Sequence, residues 1–338
     1  MPEKLAYWLE ELRRDHNEIV GKKCANLGEM AKIGLSIPRG FALSVHAYSF
    51  FMDETGAADE VSKVLDTMDV THTDIGGIKK LSITLRQIIE SKQIPPEMED
   101  VILSYYENLC GRCEHTDVAV STRSSGAVSH PGQYETYLNV KGKSDVLEKI
   151  RKVWASTFNE RSINNRLYKK LPAIGVPIGV AVHEMVNARS AGSAFSVDPN
   201  TGDETRMIIE ANWGLGESVV SGKLIPDRWV LDKKTCEVRE RQLGKKETVI
   251  LLADVGVIEQ KTPIEKSNAF CCTDTELSEI GRLVKELENH FDEPQDTEWA
   301  ITEERDFPNV ILLQARPAVV VKKSASDVVL DMMMGMFR

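Results

Sequence analysis

Long apolar runs are missing from this 338-residue sequence. No stretch approaches the roughly 20 apolar residues that a membrane-spanning helix needs. The N-terminal residues, MPEKLAYWLEELRRDHNEI, lack the apolar core of a signal peptide and instead predict an amphipathic helix. A surplus of positive charge is also missing, since the formal net charge is −10 and the pI is about 5.4. This charge balance argues against a protein that binds nucleic acid or an anionic membrane surface.

Cysteines are too scattered for a disulfide framework. The sequence has six of them, and Cys110 and Cys113 form a CxxC pair with His115 close by. A zinc site of this kind needs a second CxxC pair, which the sequence lacks, so we interpret these two thiols as incidental. A chain without a disulfide framework is typical of a reducing compartment, and we expect a cytoplasmic protein.

The clearest candidate site lies in the stretch 294–317. The segments PQDTEWAIT and VILLQARP have the patterns of two strands, and an acidic turn separates them. Folded as a hairpin, they would share one wall made of Asp296, Glu298, Gln314 and Arg316. Carboxylate and carboxamide oxygens suit a hard cation such as magnesium, and an arginine suits a phosphate. The alternative is a surface hairpin whose charges are only solvated.

Basic residues in the N-terminal half are candidates for phosphate binding. Lys22 and Lys23 stand at a predicted helix start, where a lysine can reach an anion that backbone N–H groups also hold. Arg123 leaves a short buried strand and enters a loop of small residues that includes His130. Such a loop suits a phosphate, although no GKT or GKS follows it as in a Walker loop. The alternatives are a solvated lysine pair and a flexible linker.

An apolar strand near the middle of the sequence is broken by polar residues. His183 and Glu184, followed by Met185 and Val186, could read the edge of an adenine ring. The alternative is a strand edge in solvent. Further along, the glycine-rich segment 212–217 could let the backbone approach a ligand, although turns at a sheet edge use the same residue types.

Taken together, these stretches resemble the nucleotide-binding domain of the pyruvate phosphate dikinase and phosphoenolpyruvate synthase family. The matching stretches are, in order, GKKCANLGEM, STRSSGAVSHPGQYETYLNV, SAGSAFSVDPNTG, ANWGLGESVVSG with PDRWVLDK, and DTEW with LLQARP. The resemblance implies an α+β fold of the ATP-grasp type, in which two lobes enclose a nucleotide cleft. We expect an N-terminal lobe at 1–185 with a helical insertion at about 53–115, a C-terminal lobe at 186–322 and a tail at 323–338.

The resemblance implies two cofactors, ATP and Mg²⁺, and assigns roles to the residues that would bind them. Lys23 and Arg123 would contact the ATP phosphates. Arg316 would contact the phosphates that are transferred, and the two arginines are the catalytic candidates. Glu298 and Gln314 would hold the magnesium ion.

The remaining nucleotide contacts implied by the resemblance lie on either side of this metal site. Asp296 would lie close to the magnesium ion. Adenine would be held by a short segment at the hinge between the lobes, which consists of His183, Glu184, Met185 and Val186. The family usually has a glutamine where this sequence has His183, and this departure bears on the nucleotide preference.

In this family, the β-phosphoryl group of ATP reaches a histidine, and AMP and phosphate are left. That histidine has a Gly-Gly-x-x-(Ser/Thr)-His setting, which none of the seven histidines here has. The resemblance therefore implies a separate partner subunit that carries the phosphohistidine domain and the acceptor site. A chain of this kind resembles the ATP-binding subunit of split enzymes similar to phenylphosphate synthase, so the candidate final acceptors are phenol and pyruvate.

Two other functions stay open at this point. The chain could be a regulatory subunit that senses ATP without catalysis, or the nucleotide lobe of an antibiotic or sugar phosphotransferase. Because a sensor needs fewer of the phosphate and metal residues than this sequence has, the full set favours an enzyme. The sequence therefore predicts an ATP-dependent phosphotransferase of the dikinase type that is active with its partner subunit.

Overall fold

A computed structural model describes residues 4–67, 75–127, 134–169, 171 and 175–320. These residues form two compact units. The first contains the described residues up to Val186 together with Leu252–Val257, and the second contains Asn187–Leu251 and the described residues from Ile258 onward. Helices and antiparallel strands are mixed along the chain, which is therefore an α+β protein. The loop residue His130 and the predicted tail at 323–338 lie outside the described residues.

A five-stranded antiparallel sheet organises the first unit. Its strands are β1 Ala6–Trp8, β2 Gly40–Leu43, β3 Val120–Ser125, β4 Thr136–Val140 and β5 Gly179–Glu184. The spatial order is β1-β2-β5-β3-β4, so β5 is the central strand. All of β2 and nearly all of β5 are buried, which explains why both read as apolar or small residues in the sequence.

Helices pack against this sheet and form the core of the first unit. Their bounds are α1 Asn17–Val20, α2 Lys22–Lys32, α3 Val45–Glu54, α4 Ala57–Asp66, α5 Ile75–Ser91, α6 Pro96–Arg112, α7 Lys143–Ala155 and α8 Glu160–Tyr168. Phe51 of α3 and Trp154 of α7 are completely buried, and their ring centroids lie 4.9 Å apart. Throughout the part of the chain that the structure describes, no helix combines the length and the apolar content that a membrane crossing requires.

The N-terminal residues do not form the amphipathic helix that their pattern predicts, and that prediction is wrong. Ala6–Trp8 is strand β1, which pairs with β2, and Leu9–Glu11 is a single turn of 3-10 helix. Ala6, Leu9 and Leu12 are all buried. Their three-residue spacing looks helical in the sequence, but pairing at the sheet edge prevails over the local helical preference.

A six-stranded antiparallel sheet organises the second unit. Its strands are β6 Ala188–Phe195, β7 Arg206–Trp213, β8 Asp227–Asp232, β9 Val238–Gln242, β12 Gln295–Thr302 and β13 Val310–Pro317. The spatial order is β13-β12-β6-β7-β8-β9. Between β9 and β12 in the chain, β10 Thr248–Leu252 and β11 Val257–Lys261 pair as a separate two-stranded sheet.

One face of the six-stranded sheet is covered by the longest helix of the second unit. The helices in this part of the chain are α9 Glu217–Val220, α10 Ile264–Ser267 and α11 Asp274–Phe291. Along α11 the buried positions 277, 280, 284, 287 and 291 recur every three or four residues, which gives the helix one apolar face. A Cβ atom at Gly281 of α11 would lie 3.0 Å from both Met207 and Leu231. Because side chains alternate along a strand, the residues that precede and follow Met207 and Leu231 in the sequence point to the face of the sheet away from α11.

Candidate functional site

The hairpin of β12 and β13 forms as predicted, and its register brings four polar residues together. Asp296 lies opposite Arg316, and Glu298 lies opposite Gln314. Residues that lie directly opposite each other in an antiparallel pair share a face of the sheet, so all four are on one face. A bulge follows Glu298, and the next residue, Trp299, is completely buried. The wall inferred from the local alternation is therefore present.

An ion pair orients the arginine of this wall. Asp296 Oδ2 accepts hydrogen bonds from Arg316 Nε at 2.8 Å and from Arg316 Nη2 at 2.7 Å. Burial raises the pKa of the Asp296 carboxyl above its ordinary value, Arg316 opposes this shift, and the neighbouring Glu298 adds to it. The contact holds the guanidinium on the same face as Glu298, where it can meet an anion.

Glu298 and Gln314 have the donor chemistry of a magnesium site. Directly opposite residues have Cβ atoms about 5 Å apart, so the two side chains can converge on one ion. Mg²⁺ is commonly bound by one or two protein carboxylates, with water and phosphate oxygens as its other ligands. Among the described residues, no three or more His, Cys, Asp or Glu side chains are grouped to hold a metal ion. A magnesium ion here would therefore depend on phosphate and water oxygens for most of its coordination.

In the first unit, helix α2 begins directly against the end of strand β3. Lys22 N donates to Gly126 O at 2.9 Å, and Cys24 N donates to Ser125 Oγ at 3.1 Å. Gly21 precedes the helix with a φ of +78°, and a Cβ atom there would lie 2.0 Å from Ser125 O. Glycine is therefore required at this contact, which fixes the start of α2 relative to the strand that carries Arg123.

The two predicted phosphate residues of the first unit act on one common neighbour. Cys24 is completely buried, and burial raises the pKa of its thiol to about 11, while Ser125 and the positive charges of Lys23 and Arg123 oppose the rise. The backbone contacts of Lys22 and Cys24 with the end of β3 place Lys23 and Arg123 in the same region of the first unit.

The segment predicted to hold adenine lies towards the other end of β3. Arg123 pairs with Ala181 of β5, whereas Glu184 pairs with Val120. The Glu184 carboxylate accepts hydrogen bonds from Arg39 N at 2.9 Å and from Cys113 Sγ at 3.1 Å. This side chain is thus held within the first unit, and it secures the end of β5.

His183 and Met185 of this segment are also engaged within the first unit. Met185 N donates to Ala119 O at 2.8 Å. His183 is buried, and its Nδ1 lies 3.1 Å from Glu184 O. The N–H of Glu184 donates to Arg39 O at 2.8 Å. An adenine base at this segment would therefore have to use groups other than the N–H groups of Glu184 and Met185.

Two charged residues on the face of the second sheet that lies opposite to α11 were not among the sequence candidates. Ser193 of β6 lies opposite Glu298, Glu210 of β7 lies opposite Ser193, and Arg228 of β8 lies opposite Glu210. These residues extend the row of Glu298 and Gln314 across three further strands. A signal for Glu210 exists in the sequence, because it interrupts the apolar run 207–211.

The glycine-rich segment after β7 lies over the same face. A Cβ atom at Gly216 would be 3.4 Å from Ala191 Cβ, and Ala191 lies opposite both Asn212 and Ala300 on the face that carries Glu298. Leu215 N donates to Ile250 O at 2.8 Å, and this hydrogen bond fixes the segment to β10. Backbone therefore covers part of this face beside the polar row.

Comparison with known protein families identifies the type of domain. The sequence matches a family model described as "Pyruvate phosphate dikinase, AMP/ATP-binding domain" over residues 17–335. The chain belongs to this family. The match includes all ten residues named as nucleotide contacts in the sequence, from Lys23 to Arg316.

Relatives of this dikinase-family chain are larger proteins. A "Probable phosphoenolpyruvate synthase" of Methanothermobacter thermautotrophicus is 35% identical over 330 residues, which cover 96% of this chain and 47% of the relative. A "Phosphoenolpyruvate synthase" of Aeropyrum pernix is 33% identical over 363 residues, with 97% of this chain and 44% of the relative covered. The corresponding protein of Pyrococcus furiosus is 31% identical, with 94% and 44% covered. The chain thus spans less than half the length of these relatives.

Proposed function

We propose that this chain is the ATP-binding part of a dikinase-type phosphotransferase. In this proposal the two units are the lobes of an ATP-grasp fold, and ATP with Mg²⁺ binds to the polar residues described above. The β-phosphoryl group becomes bonded to a histidine nitrogen, one water molecule is consumed, and AMP and phosphate leave. Membership of the family supports ATP binding, and the names of the relatives support a phosphoryl transfer.

The observation that carries the proposal is the register of β12 and β13. It places one carboxylate, one carboxamide and one oriented guanidinium on a single face of the sheet, and these are groups that bind magnesium and phosphate. A solvated surface hairpin would not need Asp296 to be buried and bonded to Arg316 through two donors. The arrangement therefore favours a binding wall over the surface alternative.

Each residue of this chain has a positional or electrostatic role in the proposal. Lys23, Arg123 and Arg316, the last held by Asp296, are the residues that would neutralise phosphate charge. Glu298 and Gln314 hold the metal. When bound, Mg²⁺ would supply neutralisation of the charge that develops on the phosphate oxygens. Phosphoryl transfer depends mainly on such positioning and charge stabilisation, which this set of side chains can provide.

The histidine and the final acceptor belong to other parts of the proposed system. The relatives are larger proteins of which this chain covers less than half, so the proposal places the phosphohistidine on another domain, with a separate partner subunit as its proposed carrier. The relatives named phosphoenolpyruvate synthase favour pyruvate over phenol as the final acceptor.

Labelled ATP tests this function directly. The purified chain is incubated with Mg²⁺ and with ATP labelled at either the β or the γ position, with and without soluble extract of its own organism. We expect the extract to yield AMP and an acid-labile, β-labelled phosphohistidine on another polypeptide. Added pyruvate should then discharge that label, whereas added phenol should not. Formation of ADP by the chain alone, or binding of ATP without transfer under both conditions, would contradict the proposal.

A substitution in the metal pair separates an enzyme from an ATP sensor. Glu298→Gln should lower phosphoryl transfer by about two orders of magnitude or more, because it removes the charged metal ligand. Glu286→Gln is the matched control, since Glu286 is 40% exposed on α11 and pairs with Arg282. A sensor would show no transfer in the unsubstituted chain and only a modest change in ATP affinity in Glu298→Gln.

A further inference from the structure

Two adjacent cysteines of the second unit, Cys271 and Cys272, have no part in the proposed function. They lie in the loop between α10 and α11, where both are buried and both are free thiols. Their Sγ atoms are 4.0 Å apart. Consecutive side chains of an extended strand point in opposite directions, but the chain bends at both residues and turns the two thiols towards each other.

Contacts with two strands hold this thiol pair in place. Cys271 N donates to Asp227 Oδ2 of β8 at 2.9 Å, and Arg189 Nη2 of β6 donates to Cys271 O at 3.2 Å. The hydroxyl of Ser190, also on β6, lies 3.9 Å from Cys272 Sγ. The two thiols are therefore fixed side by side before any ligand binds, which lowers the entropy that a ligand bonded to both would lose.

The charges around the pair favour a ligand that leaves no net charge. Burial raises the pKa of the Cys271 thiol well above its ordinary value, and Cys272 and Asp227 add to the rise. The guanidinium of Arg189 is already paired with Glu276 at 2.9 Å. A singly charged metal ion held by two thiolates would add a net negative charge to this buried region, which costs free energy.

A zinc ion does not fit the thiol pair either. Structural zinc needs about four ligands. Within the described ranges, no three or more His, Cys, Asp or Glu side chains are grouped to hold a metal ion. The pair therefore suits a soft element that needs two sulfur ligands and forms a neutral product with them.

The other close pair of cysteines in the sequence is arranged differently. Cys110 Sγ accepts a hydrogen bond from Val118 N at 3.4 Å, whereas Cys113 Sγ donates to Glu184 Oε2 at 3.1 Å. These two thiols have different partners in the first unit. They provide an internal comparison for the facing thiols of Cys271 and Cys272.

We propose that Cys271 and Cys272 form a binding site for trivalent arsenic, bonded to both sulfur atoms. With an organoarsenic(III) oxide, two As–S bonds form, two S–H bonds break, and the oxygen on arsenic leaves as water with both protons. Arsenic stays trivalent, so no oxidant or reductant takes part, and the bound group is neutral. A bridging atom also needs a smaller movement of the two sulfurs than a direct bond between them would.

Phenylarsine oxide is the probe for this site. The full chain is incubated with one equivalent, freed of unbound reagent and then challenged with an excess of 2-mercaptoethanol or of 2,3-dimercaptopropanol, and its intact mass is measured. We expect a single phenylarsenic group per chain that the monothiol leaves in place and the dithiol removes. A ligand held by two linked sulfurs binds about 100-fold or more tightly than one held by a single sulfur, which explains the difference.

Peptide mapping locates the bound group in the unsubstituted chain. After binding, the chain is alkylated with iodoacetamide in urea, and the modified peptides are identified by mass spectrometry. Cys271 and Cys272 should be protected, while the other four of the six cysteines are alkylated. Without the arsenical, all six should be alkylated.

Two substitutions complete the test. Cys272→Ser should weaken binding of phenylarsine oxide by about 100-fold or more in competition with 2,3-dimercaptopropanol, because one sulfur ligand is lost. Cys113→Ser is the matched control and should keep the original affinity, since its thiol is directed to Glu184.

Three results would overturn the inference: no adduct on the unsubstituted chain, an adduct that the monothiol removes, or protection of cysteines other than Cys271 and Cys272. All three are read from the unsubstituted chain, so a folding defect in Cys272→Ser cannot obscure them. None of the residues of this site is assigned to ATP or Mg²⁺, and the result is therefore independent of the proposed function.

Discussion

Replacing Lys246 with methionine would remove one partner of a completely buried ion pair in the second unit. Lys246 Nζ lies 2.5 Å from Asp227 Oδ1, and neither side chain has any exposed surface. The Asp227 carboxylate also accepts hydrogen bonds from Gly244 N at 2.8 Å and from Cys271 N at 2.9 Å. These contacts join the start of β8 to the loop before β10 and to the loop before α11, so the pair fixes three separate segments.

The magnitude follows from the charge that the substitution leaves behind. Removing one partner of a buried pair costs about 3–5 kcal/mol, because the other charge stays buried without compensation. Asp227 keeps its two backbone donors, so we expect the lower end, about 3 kcal/mol. Methionine has a similar length and the same tolerance of the left-handed φ of +43° at position 246, so neither a cavity nor new backbone strain adds much.

Urea unfolding, followed by hydrogen exchange of peptides from β7 and β8, measures this loss. With a slope of about 2 kcal/mol per M, a loss of about 3 kcal/mol lowers the midpoint by roughly 1.5 M. Arg241→Met is the control, because its ion pair with Asp274 is 3.2 Å long and exposed at 47% and 65%. Exposed pairs contribute less than about 1 kcal/mol, so the control should lower the midpoint by less than 0.5 M or so.

A double-mutant cycle then tests the physical cause. Asp227→Asn and Lys246→Met should each be costly, and their combined cost should be smaller than the sum by at least about 1 kcal/mol, because the second change finds its partner already removed. Strict additivity would refute the reasoning. A loss in Lys246→Met no larger than that in the Arg241→Met control would refute it as well.

Three further predictions concern a helix cap, a close backbone contact and an acidic residue. Thr273→Ala removes the acceptor of the 3.3 Å bond from Glu276 N at the start of α11, so urea unfolding should show a loss of about 1 kcal/mol; an unchanged midpoint would contradict the capping role. Gly192→Ala would place a Cβ atom 1.9 Å from a carbonyl oxygen of β7 and should abolish cooperative unfolding of the second unit. Its control is Gly111→Ala in α6, where the new Cβ atom would meet no atom within 4 Å, and this change should raise the free energy of unfolding by up to about 1 kcal/mol. Burial raises the folded-state pKa of Asp296 above its unfolded value, so the ionised carboxylate costs stability as the pH rises through this window; the free energy of unfolding of the unsubstituted chain relative to Asp296→Asn should therefore fall as the pH rises from 3.8 towards 7, and a relative rise would contradict the shift.

Much of the second sheet's polar wall could be predicted from the sequence, because its cause is local. The alternation around Glu298 and the apolar run that ends at Gln314 and Arg316 fix which side chains share a face in a hairpin. The observed strands Gln295–Thr302 and Val310–Pro317 lie within the stretch that was predicted. The bulge after Glu298 was not predicted, since no residue type marks it.

The N-terminal segment shows where local pattern is not sufficient. Ala6, Leu9 and Leu12 have helical spacing, yet the chain forms a strand and a 3-10 turn there. Pairing of β1 with β2 satisfies backbone groups at the sheet edge, and the same three side chains are buried in this arrangement. A contact between residues more than 30 positions apart thus decided a segment that the local periodicity assigned otherwise.

The sequence by itself determined which residue types stand in each strand and helix, and therefore the hairpin, the capped helix α11 and the family. Only the tertiary structure decided that Glu210 and Arg228 continue the row of Glu298, and that Lys246 is completely buried against Asp227. The face of a sheet to which a side chain points follows from the two-residue alternation along its own strand, which can be read from a short segment of sequence. The identity of the neighbouring strand depends on pairing between parts of the chain that are far apart in the sequence, which local periodicity does not specify.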